Sequence, residues 1–161
     1  DENNLKTSEI KEDTLNEQTL EKEIINKNIK EEDPNSIKNQ NKIQNEINII
    51  LKNEKIIFKR LSTDVTLKSE KTIKKIANLL NENISINIEV AGHTDAKGEE
   101  SFNQYISLKR AKSVKKMLIS FGVDVLRVSA KGYGESKPIA KNDGDGYSVV
   151  NRRVEFNIIK D

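Results

Sequence analysis

Apolar residues recur along the second half of this 161-residue chain with two different periods. In "LKSEKTIKKIANLL", Ile73, Ile76, Ala77 and Leu80 stand at i, i+3, i+4 and i+7, which predicts an amphipathic helix over about residues 68–81. "ISINIEVA" alternates instead. Ile84, Ile86, Ile88 and Val90 share one face, and Ser85, Asn87 and Glu89 the other, the pattern of a half-buried strand. The helical period returns from about Asn103 to Ser120, with Leu108, Ala111, Val114, Leu118 and Phe121 on the core face. Gly122 then stands where a left-handed C-terminal residue is expected. "VLRVSAKG" reads as another strand, and "RRVEFNII" as a last one with Val154, Phe156 and Ile158 on one face. Upstream, "INIIL" and "KIIF" are short β-rich runs about Lys52-Asn53-Glu54, and predict two strands joined by a tight turn. The order strand, helix, strand, helix, strand, loop, strand predicts an α/β (α+β) two-layer sandwich. Its sheet is mixed, and two main helices cover one face.

The first forty residues carry no such pattern. Leu15, Leu20, Ile24, Ile25 and Ile29 form a frayed stripe, and Asp33-Pro34-Asn35-Ser36 breaks any helix there. Charge divides in the same place. Residues 1–53 hold twelve acids and eight lysines, a net of −4, whereas residues 54–161 hold fourteen acids and twenty Lys or Arg, a net of +6. All seven aromatic residues lie at or after Phe58. We therefore expect residues 1–45 to be a disordered or partly helical linker, trimmed readily by proteases, and residues 46–161 to be the folded domain. A partner-binding helix is the alternative for the front, although its stripe is too irregular for a coiled-coil seam.

The basic back half lacks a cationic stripe interleaved with aromatics, so nucleic acid is not an expected partner. No cysteine is present, which excludes disulfides and thiol chemistry. No apolar run approaches 18 residues, so no transmembrane helix is expected. The sequence starts at Asp1 without a methionine, from which an upstream piece is expected to have been removed.

Candidate chemistry concentrates in "GHTDAKGEESFNQYISLKRA", residues 92–111. His93 is the chain's one histidine, and with no cysteine beside it a zinc site lacks ligands. No nucleophile elbow accompanies it, so catalysis at His93 is not expected. "NDGDGY" resembles part of a calcium loop, but in that register Lys141 and Arg152 occupy anchor positions, so it reads as a glycine-rich turn. "GYGES" does not join a strand to a helix in a dinucleotide pattern and is a turn as well. Asp95 and Arg110 remain. Asp95 follows the strand ending near Ala91, and Arg110 lies about two turns into the next helix, beside its core face. Held near each other but unpaired, they can grip a zwitterion. The acid takes an ammonium, and the guanidinium takes a carboxylate through two parallel hydrogen bonds. A plain Asp95–Arg110 salt bridge fixing the loop is the other reading, and the residues alone leave both open.

"VAGHTDAKGEESFNQYISLKRAKSVKKML", "GYGESKP" and "NRRVEF" together resemble the OmpA-like C-terminal domain. That peptidoglycan-binding module also occurs in peptidoglycan-associated lipoproteins and the flagellar stator. The match covers about residues 47–160, with three separated blocks in order. The resemblance implies a β/α/β/α sandwich that binds the peptide stem of peptidoglycan non-covalently, without cofactor or metal. It places the ligand-gripping acid at Asp95 and the arginine at Arg110, which would clamp the zwitterionic end of diaminopimelate. Asn103 matches the asparagine at the helix start. Thr94, Leu108, Arg152 and Arg153 match at positions that bind ligand or shape the site. The implied setting is the periplasm, tethered to the outer membrane through an N-terminal anchor outside this sequence, with envelope proteins as further partners. Two departures stand out: "KRLSTDV" after Phe58 is longer and more basic than the family's turn, and the loop over residues 137–150 has no cysteines. The rival reading is an envelope protein-interaction module that keeps the fold without binding the wall. A wall-degrading enzyme lacks any catalytic constellation.

Overall fold

The computed structural model describes residues 33–160. Their elements run α1 (Pro34–Asn53), α2 (Leu67–Glu82), β1 (Asn87–His93), α3 (Glu100–Ser120), β2 (Val128–Gly134) and β3 (Arg153–Ile159), with a 3-10 turn at Val125–Arg127. The sheet order is β2-β1-β3. β1 lies parallel to β2 and antiparallel to β3, so the sheet is mixed as the pattern predicts. Val90 sits opposite Ala130 on one side and Phe156 on the other. Ile86, Ile88 and Val90 are buried, while Ile84 lies outside the strand and is 76% exposed.

Helix α2 matches its expected span. Its N-cap is Thr66, whose Oγ1 accepts from Ser69 N at 3.2 Å, and Ile73, Ile76, Ala77 and Leu80 form its buried face. Its last turn is held by Arg127, which donates to the carbonyls of Leu80 (2.7 Å), Asn83 (2.9 Å) and Ile86 (2.9 Å). Helix α3 buries Ala111, Val114 and Leu118, and Gly122 follows its end with φ +96°. α3 packs along β1 and β2 at backbone distance. A Cβ added at Gly92 would stand 2.2 Å from Ser107 O, and one at Gly132 would stand 2.5 Å from Leu108 N. These two glycines set how close the helix carrying Arg110 comes to the strand leading into Asp95.

The front of the domain departs from the expected strands. Residues 47–51 belong to α1, and residues 55–58 make one isolated bridge, Phe58 to Val65. The isoleucine run invites a strand reading, but Ile43, Ile47, Ile50 and Leu51 fall at i, i+4, i+7 and i+8, a helical face. Ile43 and Ile47 are buried in the core, at roughly 1.5–3 kcal/mol each. Pro34 starts this helix, as a proline does at a first helical position. The edge that another strand would cover is met by one side chain. Gln44 donates to Phe156 O and accepts from Ile158 N, both at 2.8 Å, and so satisfies part of the outer edge of β3. The boundary expected between residues 45 and 46 consequently falls inside α1. The linker expectation for residues 1–32, with its frayed stripe, lies outside the described residues.

Candidate functional site

β1 ends at His93 and delivers Thr94 and Asp95 to one end of the sheet, beside the start of α3. Thr94 is fixed through its backbone, N to Gly134 O at 2.8 Å, and its hydroxyl donates to Asp95 O at 2.8 Å. Asn103, buried on the first turn of α3, donates to Asp95 O (3.3 Å), Lys97 O (3.1 Å) and Glu135 Oε2 (3.1 Å). It therefore holds the 95–97 loop against the helix.

Asp95 is only 6% exposed. Its Oδ1 accepts from Lys97 N at 3.2 Å and its Oδ2 from Ser148 N at 3.1 Å. Arg152 Nε lies 3.4 Å from the same Oδ2. The 143–147 turn packs on this loop so closely that a Cβ at Gly146 would stand 2.8 Å from Ala96 C. Among the described residues no ion pair or hydrogen bond joins Asp95 to Arg110, so the plain salt-bridge reading is corrected. The loop after Tyr147 instead brings Ser148 N and Arg152 to the carboxylate.

Arg110 lines a cavity of about 300 Å³. Phe58, Gly92, His93 and Val154 line it too, and Lys55, Arg152 and Arg153 give it three further cations. No carboxylate belongs to this lining. The Arg110 guanidinium stacks over the Phe58 ring, 5.0 Å from its centroid. Its Nε is buried without a hydrogen-bond partner among the described residues. Burial, and then the charge of Arg152, push its pKa below the usual arginine value. Phe58 is positioned by the "KRLSTDV" turn, closed by Lys59 N to Asp64 O at 2.7 Å. At its tip Leu61 is 96% exposed and left-handed, with φ +52°.

The other arginines differ. Arg152 donates to Tyr147 Oη at 2.8 Å and connects the cavity wall to Asp95. Arg153 is spent on structure: Nε bonds Glu155 at 2.7 Å, Nη1 Asn151 O at 3.2 Å and Nη2 Lys137 O at 3.0 Å. His93, 3.6 Å away, and Arg153 together hold the Glu155 carboxyl at about 2, against the opposing effect of its burial. At 3.6 Å the histidine contact is longer than a hydrogen bond, so Arg153 is the tighter partner. His93 itself is buried and stacks on Tyr133 with centroids 5.2 Å apart. Leu108 is partly buried on α3, its backbone against Gly132. It is outside the cavity lining.

Sequence reading missed two contributors. Asn151, fully buried, accepts from Ile139 N and Ala140 N and donates to Ala140 O and Asn142 Oδ1, at 2.8–3.0 Å. It organises the long loop that brings Ser148 and Arg152 to the site. Lys55 reaches the cavity from the segment after α1, and a lysine in a charged stretch carries no local signal. Among the described residues no group of three His, Cys, Asp or Glu gathers to hold a metal, and no helix is long and apolar enough to cross a membrane.

Comparison with known proteins follows the same residues. The OmpA family model matches residues 57–152. Outer membrane porin F of Pseudomonas fluorescens is 43% identical over 86 residues, 53% of this chain and 26% of the porin. The peptidoglycan-associated lipoprotein of Buchnera aphidicola subsp. Baizongia pistaciae is 34% identical over 102 residues, 63% of this chain and 59% of the lipoprotein. This chain thus spans about a quarter of the porin's length. Among solved structures, the peptidoglycan-associated lipoprotein of Burkholderia pseudomallei superposes with TM-score 0.61 at 25% identity, covering 73% of this chain and 99% of that one. The C-terminal domain of Helicobacter pylori MotB superposes with TM-score 0.58 at 28% identity, covering 66% and 83%.

Proposed function

The chain belongs to the OmpA family, and from that premise we propose that it binds peptidoglycan non-covalently, with its cavity gripping the diamino-acid residue of the stem peptide. The observation that carries this reading is Arg110. A guanidinium half-buried over Phe58, with a buried and unpartnered Nε, in a cavity whose lining holds cations and no carboxylate, is costly unless an anion completes it. A carboxylate fits the planar fork at two points. The ammonium of the same ligand carbon goes to Asp95. Arg152 is its loosest partner at 3.4 Å, and it yields Oδ2 to the ligand while the two backbone donors stay. Arg153 shapes the site through Glu155, Asn151 and Lys137 and does not touch ligand. Thr94 and Asn103 hold the loop, and Leu108 seats the helix.

On this reading the domain is a tether and not an enzyme. It acts in the periplasm, joining the wall to the outer membrane or to an envelope complex; its similarity to an outer membrane porin and to a peptidoglycan-associated lipoprotein supports this setting. The test is co-sedimentation with purified sacculi. Wild-type protein is expected in the pellet, with Arg110→Ala and Asp95→Ala in the supernatant. Undiminished pelleting of Arg110→Ala would contradict the reading. Absence of wild-type protein from the pellet would leave the envelope-protein module as the better account.

A further inference from the structure

The cavity holds more positive charge than a zwitterion neutralises. Four cations line it, and two of these have carboxylate partners: Arg152 with Asp95 at 3.4 Å and Arg153 with Glu155 at 2.7 Å. Arg110 and Lys55 have none among the described residues. Lys55 is the less expected of the two. Its ammonium donates to Val149 O at 2.7 Å, which uses one of its three hydrogens. The charges bearing on it are Arg152 and Arg153, and these, after burial, lower its pKa from the ordinary lysine value. Glu155 lines the adjoining cavity with Lys55, but its oxygens are engaged by Arg153 and approached by His93. Lys55 is itself exposed, and the Val149 carbonyl holds its ammonium where the residue lines both cavities.

We propose that the cavity selects a ligand with a second free carboxylate, seated at Lys55, beside the carboxylate held by Arg110. The proposal rests on the wall-binding reading and narrows its substrate class. The stem peptide should carry a free acid next to the diamino acid, as the γ-linked glutamate does through its unused α-carboxylate. Converting that acid to an amide removes the charge and keeps the shape.

The experiment is calorimetric titration of the chain with the soluble tripeptide alanyl-γ-glutamyl-diaminopimelate and with the same peptide amidated at the glutamate α-carboxylate. Wild-type protein is expected to bind the amidated peptide about five- to tenfold more weakly. That range lies just below what a charged hydrogen bond contributes, because Lys55 is exposed. Lys55→Met is expected to lose the same factor for the acid peptide and to bind both peptides alike, while Lys55→Arg restores the preference. Melting temperature confirms that each variant folds. Equal affinity of wild-type protein for both peptides overturns the proposal and leaves wall binding standing. Binding of neither peptide overturns both.

Discussion

Two regions meet at the end of the sheet, and they treat polar groups in opposite ways. Around Asp95, Asn103 and Asn151, each side chain is bonded to the backbone of a neighbouring loop. Across the cavity, Arg110 Nε is buried and unpartnered, and Lys55 faces other cations. The first region spends its polarity on holding three loops in one arrangement. The second leaves charge unsatisfied inside the arrangement so produced. Removing a group from the first should cost stability, and removing one from the second should cost binding.

The largest effect should come from the contact that joins the two regions. Gly92→Ala puts a Cβ 2.2 Å from the carbonyl oxygen of Ser107, and backbone on both sides leaves little room to yield. We expect a loss of about 3 kcal/mol or more by chemical denaturation, with weakened binding because α3 carries Arg110. A loss below about 1 kcal/mol would mean that the helix slides freely over the sheet. Next is Asn151→Ala. It leaves Ile139 N, Ala140 N and Ala140 O without their partner, and should cost about 2 kcal/mol. Binding should fall as well, since the loop bearing Arg152 loosens.

The smallest effect sharpens the comparison through pH. Glu155 has its carboxyl lowered to about 2 by His93 and Arg153. A lowered acid stabilises the fold above its unfolded value near 4.5, and that contribution is lost as pH falls toward 2. Glu155→Gln should therefore flatten the stability profile between about pH 4.5 and 2 while leaving its shape near pH 7 unchanged. Identical acid profiles for variant and wild type would show that the Arg153–Glu155 contact does not contribute to stability.

How much of this was legible in the sequence depends on whether the signal is local. α2, α3, β1, β2 and β3 each declare their own period, and the expected ends lie within a few residues of the observed ones. Residues 47–51 of α1 read as strand because "INIIL" is β-rich over five residues, whereas the helical face emerges only when Ile43 is included. Gln44, Arg127 and Asn151 were not legible at all. Their bonds run to backbone 11–114 residues away, and no spacing rule announces them. The site divides the same way. Asp95 and Arg110 stand out by type and position, but the exchange of partners that gives Asp95 to Arg152 depends on a long loop whose path the sequence does not reveal. Lys55 was missed for the same reason.

Arg110 is on this reading held for a ligand and not for the fold, and one paired measurement on Arg110→Ala and Arg110→Lys tests it. Urea denaturation and titration with the diaminopimelate tripeptide are done on the same samples. Stability of Arg110→Ala should equal or slightly exceed that of wild type, because a half-buried guanidinium without a carboxylate partner is removed. Both variants should bind at least tenfold more weakly, since the lysine ammonium cannot hold a carboxylate at two points. A variant that loses about 1 kcal/mol or more of stability while keeping wild-type affinity would place Arg110 with the structural region and contradict the account.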